Sequence, residues 1–149
     1  MRVVFAGRDP AELDRVLAES DFIAVTVPLS AATRHMIGAE ELARMKPGAI
    51  LVNTSRGPVV DEQALAAALK SGHLGGAGLD VFEDEPRVHP DLLECENALL
   101  VPHIGSATRE TRDGMARLAC RGLAQILRGE RPPNLANPQA WPLEAATPP

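Results

Sequence analysis

Three side chains stand out as a set. Arg56 lies in Asn53-Thr54-Ser55-Arg56-Gly57-Pro58-Val59-Val60-Asp61, Glu85 in Gly78-Leu79-Asp80-Val81-Phe82-Glu83-Asp84-Glu85-Pro86, and His103 in Val101-Pro102-His103-Ile104-Gly105-Ser106-Ala107-Thr108. A guanidinium binds a carboxylate through two parallel hydrogen bonds. An imidazole can give or take a hydroxyl proton near neutral pH. A carboxylate beside it orients the ring and favours its protonated form. Together they suit a small acid whose carboxylate is anchored while a nearby oxygen gains or loses a proton. Each residue alone has a plainer reading. Arg56 would be a surface arginine, Glu85 part of an acidic turn with Glu83 and Asp84, and His103 a structural histidine.

The elements that must position these groups alternate between strand-like and helix-like runs. Strands are predicted at Val3–Ala6, Phe22–Val27, Ala49–Asn53, Leu74–Asp80 and Ala98–Val101. Helices are predicted at Pro10–Glu19, with Asp9 as its cap, at Ala39–Met45, from Asp61 as cap through Lys70 to a stop at Gly72, and at Ala107–Arg128. Strands buried on both faces and separated by helices imply an α/β fold with a doubly wound parallel sheet. Ligands of such sheets sit beyond the carboxyl ends of the strands. Pro28, Ser55-Arg56, Asp80 and His103 each follow a strand, so four loops deliver polar groups to one edge.

The three motifs, in this order, resemble the D-isomer-specific 2-hydroxyacid dehydrogenase family, and within it most of all the glyoxylate and hydroxypyruvate reductases. The likeness runs from about Val3 to about Asn137. It implies an oxidoreductase that acts on CH–OH groups with NAD or NADP and takes a small 2-hydroxy or 2-keto acid. Arg56, Glu85 and His103 become the catalytic set: Arg56 holds the substrate carboxylate, and Glu85, the glutamate just before proline, pairs with His103. The resemblance also implies that Val27 and Pro28 flank the adenosine side. Thr54, Ser55 and Arg56 lie by the nicotinamide end, with Asp80 hydrogen-bonded to the carboxamide, and His103, Gly105 and Ser106 complete the cofactor contacts. Thr33 is read as structural, Glu83 and Asp84 as solvated. His35, His73 and His89 are read as surface residues, and Arg109 and Arg112 as exposed helix charges.

The acid that binds ribose hydroxyls in NAD-binding domains belongs at the end of the second strand. Here Val3-Val4-Phe5-Ala6 runs into Gly7-Arg8-Asp9. A guanidinium at Arg8 would welcome a 2′-phosphate, so NADP is favoured, while Asp9 would serve NAD if the register slips. No Gly-x-Gly-x-x-Gly precedes Val3. The resemblance therefore implies an incomplete Rossmann-like dinucleotide-binding domain lacking the first strand, glycine loop and helix. It spans residues 1–130, followed by a proline-rich tail, 131–149, expected to be extended.

Composition narrows the classes. The 149 residues fit one domain, 45% hydrophobic but only 3% aromatic, so the core must be aliphatic. A net charge of −5 and the lack of a basic run argue against a nucleic-acid surface. No apolar run is long enough for a membrane span, and no signal peptide is visible. Cys95 and Cys120 share no motif, which suits a reduced cytoplasmic protein and no metal site. The expected partners are the substrate and a homo-oligomer or a complementing N-terminal half. Three readings stay open: a half-domain that works with its complement, a remnant that binds nucleotide without turnover, and a module that oligomerises through an exposed sheet edge.

Overall fold

A computed structural model describes residues 10–141, so Val3–Ala6, Arg8 and Asp9 lie outside the described residues. The chain divides into two compact units that meet between Gly105 and Ser106. The first contains helix α1 (Pro10–Glu19), strand β1 (Phe22–Val25), helix α2 (Ala39–Arg44), strand β2 (Ile50–Asn53), helix α3 (Glu62–Lys70), strand β3 (Gly76–Leu79), helix α4 (Pro90–Leu93) and strand β4 (Ala98–Leu100). A 3-10 turn at Gly57–Val59 precedes α3.

The four strands form one parallel sheet in the order β1-β2-β3-β4. Register puts Ile23, Leu51, Ala77 and Ala98 in one row and Val25, Asn53, Leu79 and Leu100 in the next. These rows line the covered face. Parallel strands joined in one direction by right-handed crossovers place their helices on one side. Accordingly α1 packs on α2, α2 on α3 and α3 on α4. This corrects the expectation that the strands are buried on both faces: Phe22 and Leu99, on the opposite face, are 67% and 68% exposed. The helices of a doubly wound sheet that cover its second face belong to connections running the other way.

Leu17, Leu51, Leu65, Leu74 and Leu92 are fully buried with Ile37, Val59 and Val60, and among the described residues Phe82 is the one aromatic ring in this core. The aliphatic expectation holds. Burying each such side chain contributes about 2 kcal/mol. The strands are shorter than the apolar runs suggested. β1 stops at Val25 because its partner β2 ends at Asn53, where Ser55 folds back onto the Asn53 side chain. Asp61 caps α3 as expected, accepting from the Ala64 N–H at 2.9 Å, and Gly72 follows with φ +73°. Helix α4, unforeseen, starts where Pro90 supplies a helical φ and His89 Nδ1 accepts from the Asp91 N–H.

The second unit carries helix α5 (Arg109–Leu127), with no buried side chain, and a 3-10 turn at Pro138–Ala140. Thr108 accepts from the Thr111 N–H and so starts α5 two residues later than expected. The tail is not extended throughout, since Pro138 opens that turn. Among the described residues, no helix is long and apolar enough to cross a membrane.

Candidate active site

Each candidate side chain lies at or after the carboxyl end of a strand. After β2, buried Asn53 organises the turn. Its Oδ1 accepts from the Ser55 N–H at 3.0 Å and the Ser55 hydroxyl at 2.8 Å, and its Nδ2 donates to the Arg56 carbonyl at 3.2 Å. Sequence reasoning gave Asn53 no role; a polar residue at the end of an otherwise apolar strand was the signal. The exposed Arg56 guanidinium donates from Nη1 to the Ser55 carbonyl at 2.6 Å.

Gly57 makes this turn possible. A Cβ there would lie 1.9 Å from the Phe82 carbonyl carbon and 2.4 Å from the Glu83 nitrogen. The turn bearing Arg56 is thus pressed directly onto the loop bearing Glu85, backbone against backbone.

After β1, the Thr33 hydroxyl donates to the Pro28 carbonyl at 2.7 Å, the structural role expected of it. Val27, Pro28, Thr54, Ser55 and Arg56 together line an open cavity of about 500 Å³ with Thr26 and Leu29. Five of the residues expected to touch cofactor therefore share one concavity.

After β3 and β4, Glu85 and His103 meet. Glu85 Oε2 lies 2.8 Å from His103 Nδ1, and Oε1 accepts from the Phe82 N–H at 3.0 Å. The His103 hydrogen bond, then the Phe82 N–H, hold the Glu85 carboxyl below its ordinary value of 4.5, and the Arg56 charge acts in the same direction. An ionised Glu85 only accepts, so Nδ1 must carry the proton and Nε2 is left for a ligand. This places the three residues within one electrostatic neighbourhood. Beside the pair, Phe82, Pro86, Val88 and Leu100 line an apolar cavity of about 250 Å³.

His103 has φ +52°, a left-handed conformation costly for a side chain with a Cβ. Asp80 compensates. Its two carboxylate oxygens accept from the Ile104 N–H at 2.6 Å and the Gly105 N–H at 2.8 Å. A Cβ at Gly105 would sit 2.9 Å from Asp80 Oδ2, so glycine keeps this grip close. Asp80 is 7% exposed and acts on the His103 loop in addition to the cofactor role expected of it. Ser106 belongs to the second unit, and Arg8 lies outside the described residues.

One expectation is corrected, and the three histidines read as surface residues each hold a hydrogen bond. Glu83 is not merely solvated: Oε1 accepts from the Glu62 N–H at 3.0 Å and Oε2 lies 2.9 Å from His35 Nε2. His35 therefore belongs to a network, at φ +50°. His73 bonds through Nε2 to the Leu42 carbonyl at 3.1 Å, and His89 caps α4. In each case the partner lies far along the chain or in the backbone, where residue type gives no clue. Asp84 stays exposed and pairs with Arg87 at 2.7 Å. Arg109 and Arg112 are exposed.

The family model for the D-isomer specific 2-hydroxyacid dehydrogenase, NAD binding domain, matches residues 3–105. Glyoxylate reductase of Thermococcus litoralis is 54% identical over 131 residues, covering 88% of this chain and 40% of that protein. Glyoxylate/hydroxypyruvate reductase B of Enterobacter agglomerans is 57% identical over 129 residues, covering 86% and 40%. Among solved structures, the NADPH-dependent glyoxylate/hydroxypyruvate reductase of Sinorhizobium meliloti, in complex with NADP and malonate, matches with a TM-score of 0.77 and 39% identity, covering 85% of this chain and 40% of that one. The chain thus spans about 40% of the length of these relatives. The parallel sheet agrees with these likenesses: the chain belongs to the D-isomer specific 2-hydroxyacid dehydrogenase family, whose NAD binding domain model matches residues 3–105.

Proposed function

We propose that this chain supplies the coenzyme-binding and catalytic side of a 2-keto acid reductase acting on glyoxylate or hydroxypyruvate. The observation that carries the reading is the 2.8 Å Glu85–His103 pair, with the Arg56 charge acting on the same carboxylate. Arg56 binds the substrate carboxylate through its guanidinium fork. His103 delivers a proton from Nε2 to the keto oxygen, and Glu85 holds the ring so that Nε2 faces the substrate. A bound nicotinamide would supply the hydride. The cavity joins Val27 and Pro28, read as the adenosine side, to Thr54 and Ser55, read as the nicotinamide end, so one concavity offers apolar and polar groups to a dinucleotide. Asp80, at the end of β3, is the group offered to the carboxamide.

NADP is the favoured coenzyme, on the position of Arg8 after Gly7. The Sinorhizobium meliloti relative was solved with NADP. An Arg8→Ala variant should lose its preference for NADPH over NADH. The partner, a homo-oligomer or a complementing N-terminal half, is supported by the open sheet face that exposes Phe22 and Leu99. Sedimentation of the chain alone tests the first of these.

The function is tested in a chimera in which residues 3–105 replace the matching part of the Enterobacter agglomerans reductase. Turnover of glyoxylate with NADPH is expected. His103→Ala should lower kcat on the order of 10²- to 10⁴-fold. Arg56→Ala should raise KM on the order of 10- to 100-fold, the loss of a charge-assisted pair. A folded chimera without turnover would refute the proposal.

A further inference from the structure

Among the described residues, Glu62 is the one buried carboxylate that the reading above does not use: it is 5% exposed at the first turn of α3. Burial raises its pKa, and the neighbouring Glu83 carboxylate adds to the rise. A carboxylate is rarely kept in such a place without specific donors. Here both oxygens have one. Oε1 accepts from the Glu83 N–H at 2.7 Å, and Oε2 accepts from the His89 N–H at 3.3 Å. Glu83 returns the bond, its Oε1 accepting from the Glu62 N–H at 3.0 Å, which also satisfies a helix-start donor. His35 closes the outer side of Glu83 at 2.9 Å.

The two donors that Glu62 grips bracket the segment that carries Glu85. Glu83 and His89 are its ends, and Glu85 with its cis peptide to Pro86 lies between them. Outside this grip, Glu85 itself holds only the Phe82 N–H and His103 Nδ1, and it is 35% exposed at the side chain. The loop has no strand or helix of its own before α4. Its position relative to β3 is held by the buried Phe82 side chain, by Val88 packed on the core, by the Gly57 contact and by Glu62.

We propose that Glu62 is a positioning residue: its buried carboxylate clamps the Glu83–His89 segment at both ends and thereby holds Glu85 at hydrogen-bonding distance from His103. The inference rests on the reading of Glu85 and His103 as the acid–base pair. The clamp works through backbone N–H groups, so it does not depend on which side chains stand at positions 83 and 89. It does depend on a two-oxygen acceptor at position 62. Glutamine offers one oxygen and would turn an N–H group toward the second donor. Alanine offers neither.

The test follows the Glu85 carboxyl carbon by NMR during a pH titration of the 149-residue chain. His103→Ala should move the Glu85 midpoint up, because the hydrogen bond to His103 is the largest cause of its depression. Glu62→Ala should reproduce most of that upward movement, and Glu62→Gln a smaller part. Leu51→Ala, which opens a cavity under β2 away from the loop, should lower Tm without moving the midpoint. Should Glu62→Ala fail to fold, Glu62→Gln decides alone. Folded Glu62 variants that titrate like the wild type, whatever their Tm, overturn the positioning role and leave the pair intact. A midpoint unmoved in His103→Ala overturns the pair itself, and with it the function proposed above.

Discussion

The close approach at Gly57 makes a sharp demand on the chain. An alanine there places Cβ 1.9 Å from the Phe82 carbonyl carbon, 2.0 Å from its oxygen and 2.4 Å from the Glu83 nitrogen. Ordinary contact begins at 3.4 Å, so the two loops must part by 3.4 − 1.9 = 1.5 Å. Every clashing atom is backbone, and no rotamer change can relieve it. Overpacking of a tight site costs about 1–3 kcal/mol, and a wholly backbone clash belongs at the upper end. About 3 kcal/mol in a unit of this size lowers Tm by about 10 °C. The displacement also carries the Arg56 turn away from the Glu85 loop, which weakens the charge that helps depress the Glu85 pKa. Thermal unfolding by circular dichroism, read beside the Glu85 titration, measures both effects. Gly114→Ala is the control. It lies in α5 with nothing within 4 Å of the added carbon, and it should be neutral or stabilising by about 0.5–1 kcal/mol. A Gly57→Ala chain as stable as the wild type would show that the two loops do not touch.

Two further perturbations separate the parts of the site. Asp80→Ala removes the acceptor of the Ile104 and Gly105 N–H groups, and should cost about 2–4 kcal/mol, lowering the urea midpoint and releasing His103 from its left-handed conformation. The pH dependence of stability should carry two opposed carboxylates. Glu85, depressed by His103, contributes stability present above its ordinary value of 4.5 and lost as pH falls through its lower folded value. Glu62, raised by burial, has the opposite sign: its contribution is fully present below 4.5 and is lost as pH rises through its higher folded value. Urea unfolding across this range should therefore show Glu85→Gln flattening the acid limb and Glu62→Gln flattening the fall above 4.5.

The sheet was legible because β1, β2 and β4 are short, mostly aliphatic runs closed by turn-forming residues, and β3, Gly-Ala-Gly-Leu, sits between two such runs. The motifs around Arg56, Glu85 and His103 singled these residues out, and each follows the carboxyl end of a strand, the edge where ligands of parallel sheets sit. What stayed hidden depends on contacts between distant segments. Glu83 read as a solvated acid because its partners, the Glu62 N–H and His35, lie 21 and 48 positions away. Glu62 drew no reading from the sequence, because it is the packing of the Glu85 loop against α3 that buries it. Gly57 read as a turn glycine, whereas the reason for it is the Phe82–Glu83 peptide lying where a side chain would go. The left-handed His103 has no local signature, since the force that holds it comes from Asp80 across the loop. The open sheet face was missed because alternation is weak in strands as short as β2 and β4, where Ile50, Val52 and Leu99 are as apolar as their buried neighbours.

The central claim is that Glu85 and His103 act as one acid–base unit on a substrate that Arg56 holds. Its most direct test is a double-mutant cycle on kcat for NADPH oxidation with hydroxypyruvate in the chimera, comparing Glu85→Gln, His103→Ala and the double variant. Residues that work as a unit give non-additive losses, so the double variant should be no slower than His103→Ala alone. Losses that multiply, or a His103→Ala enzyme with undiminished kcat, would contradict the account.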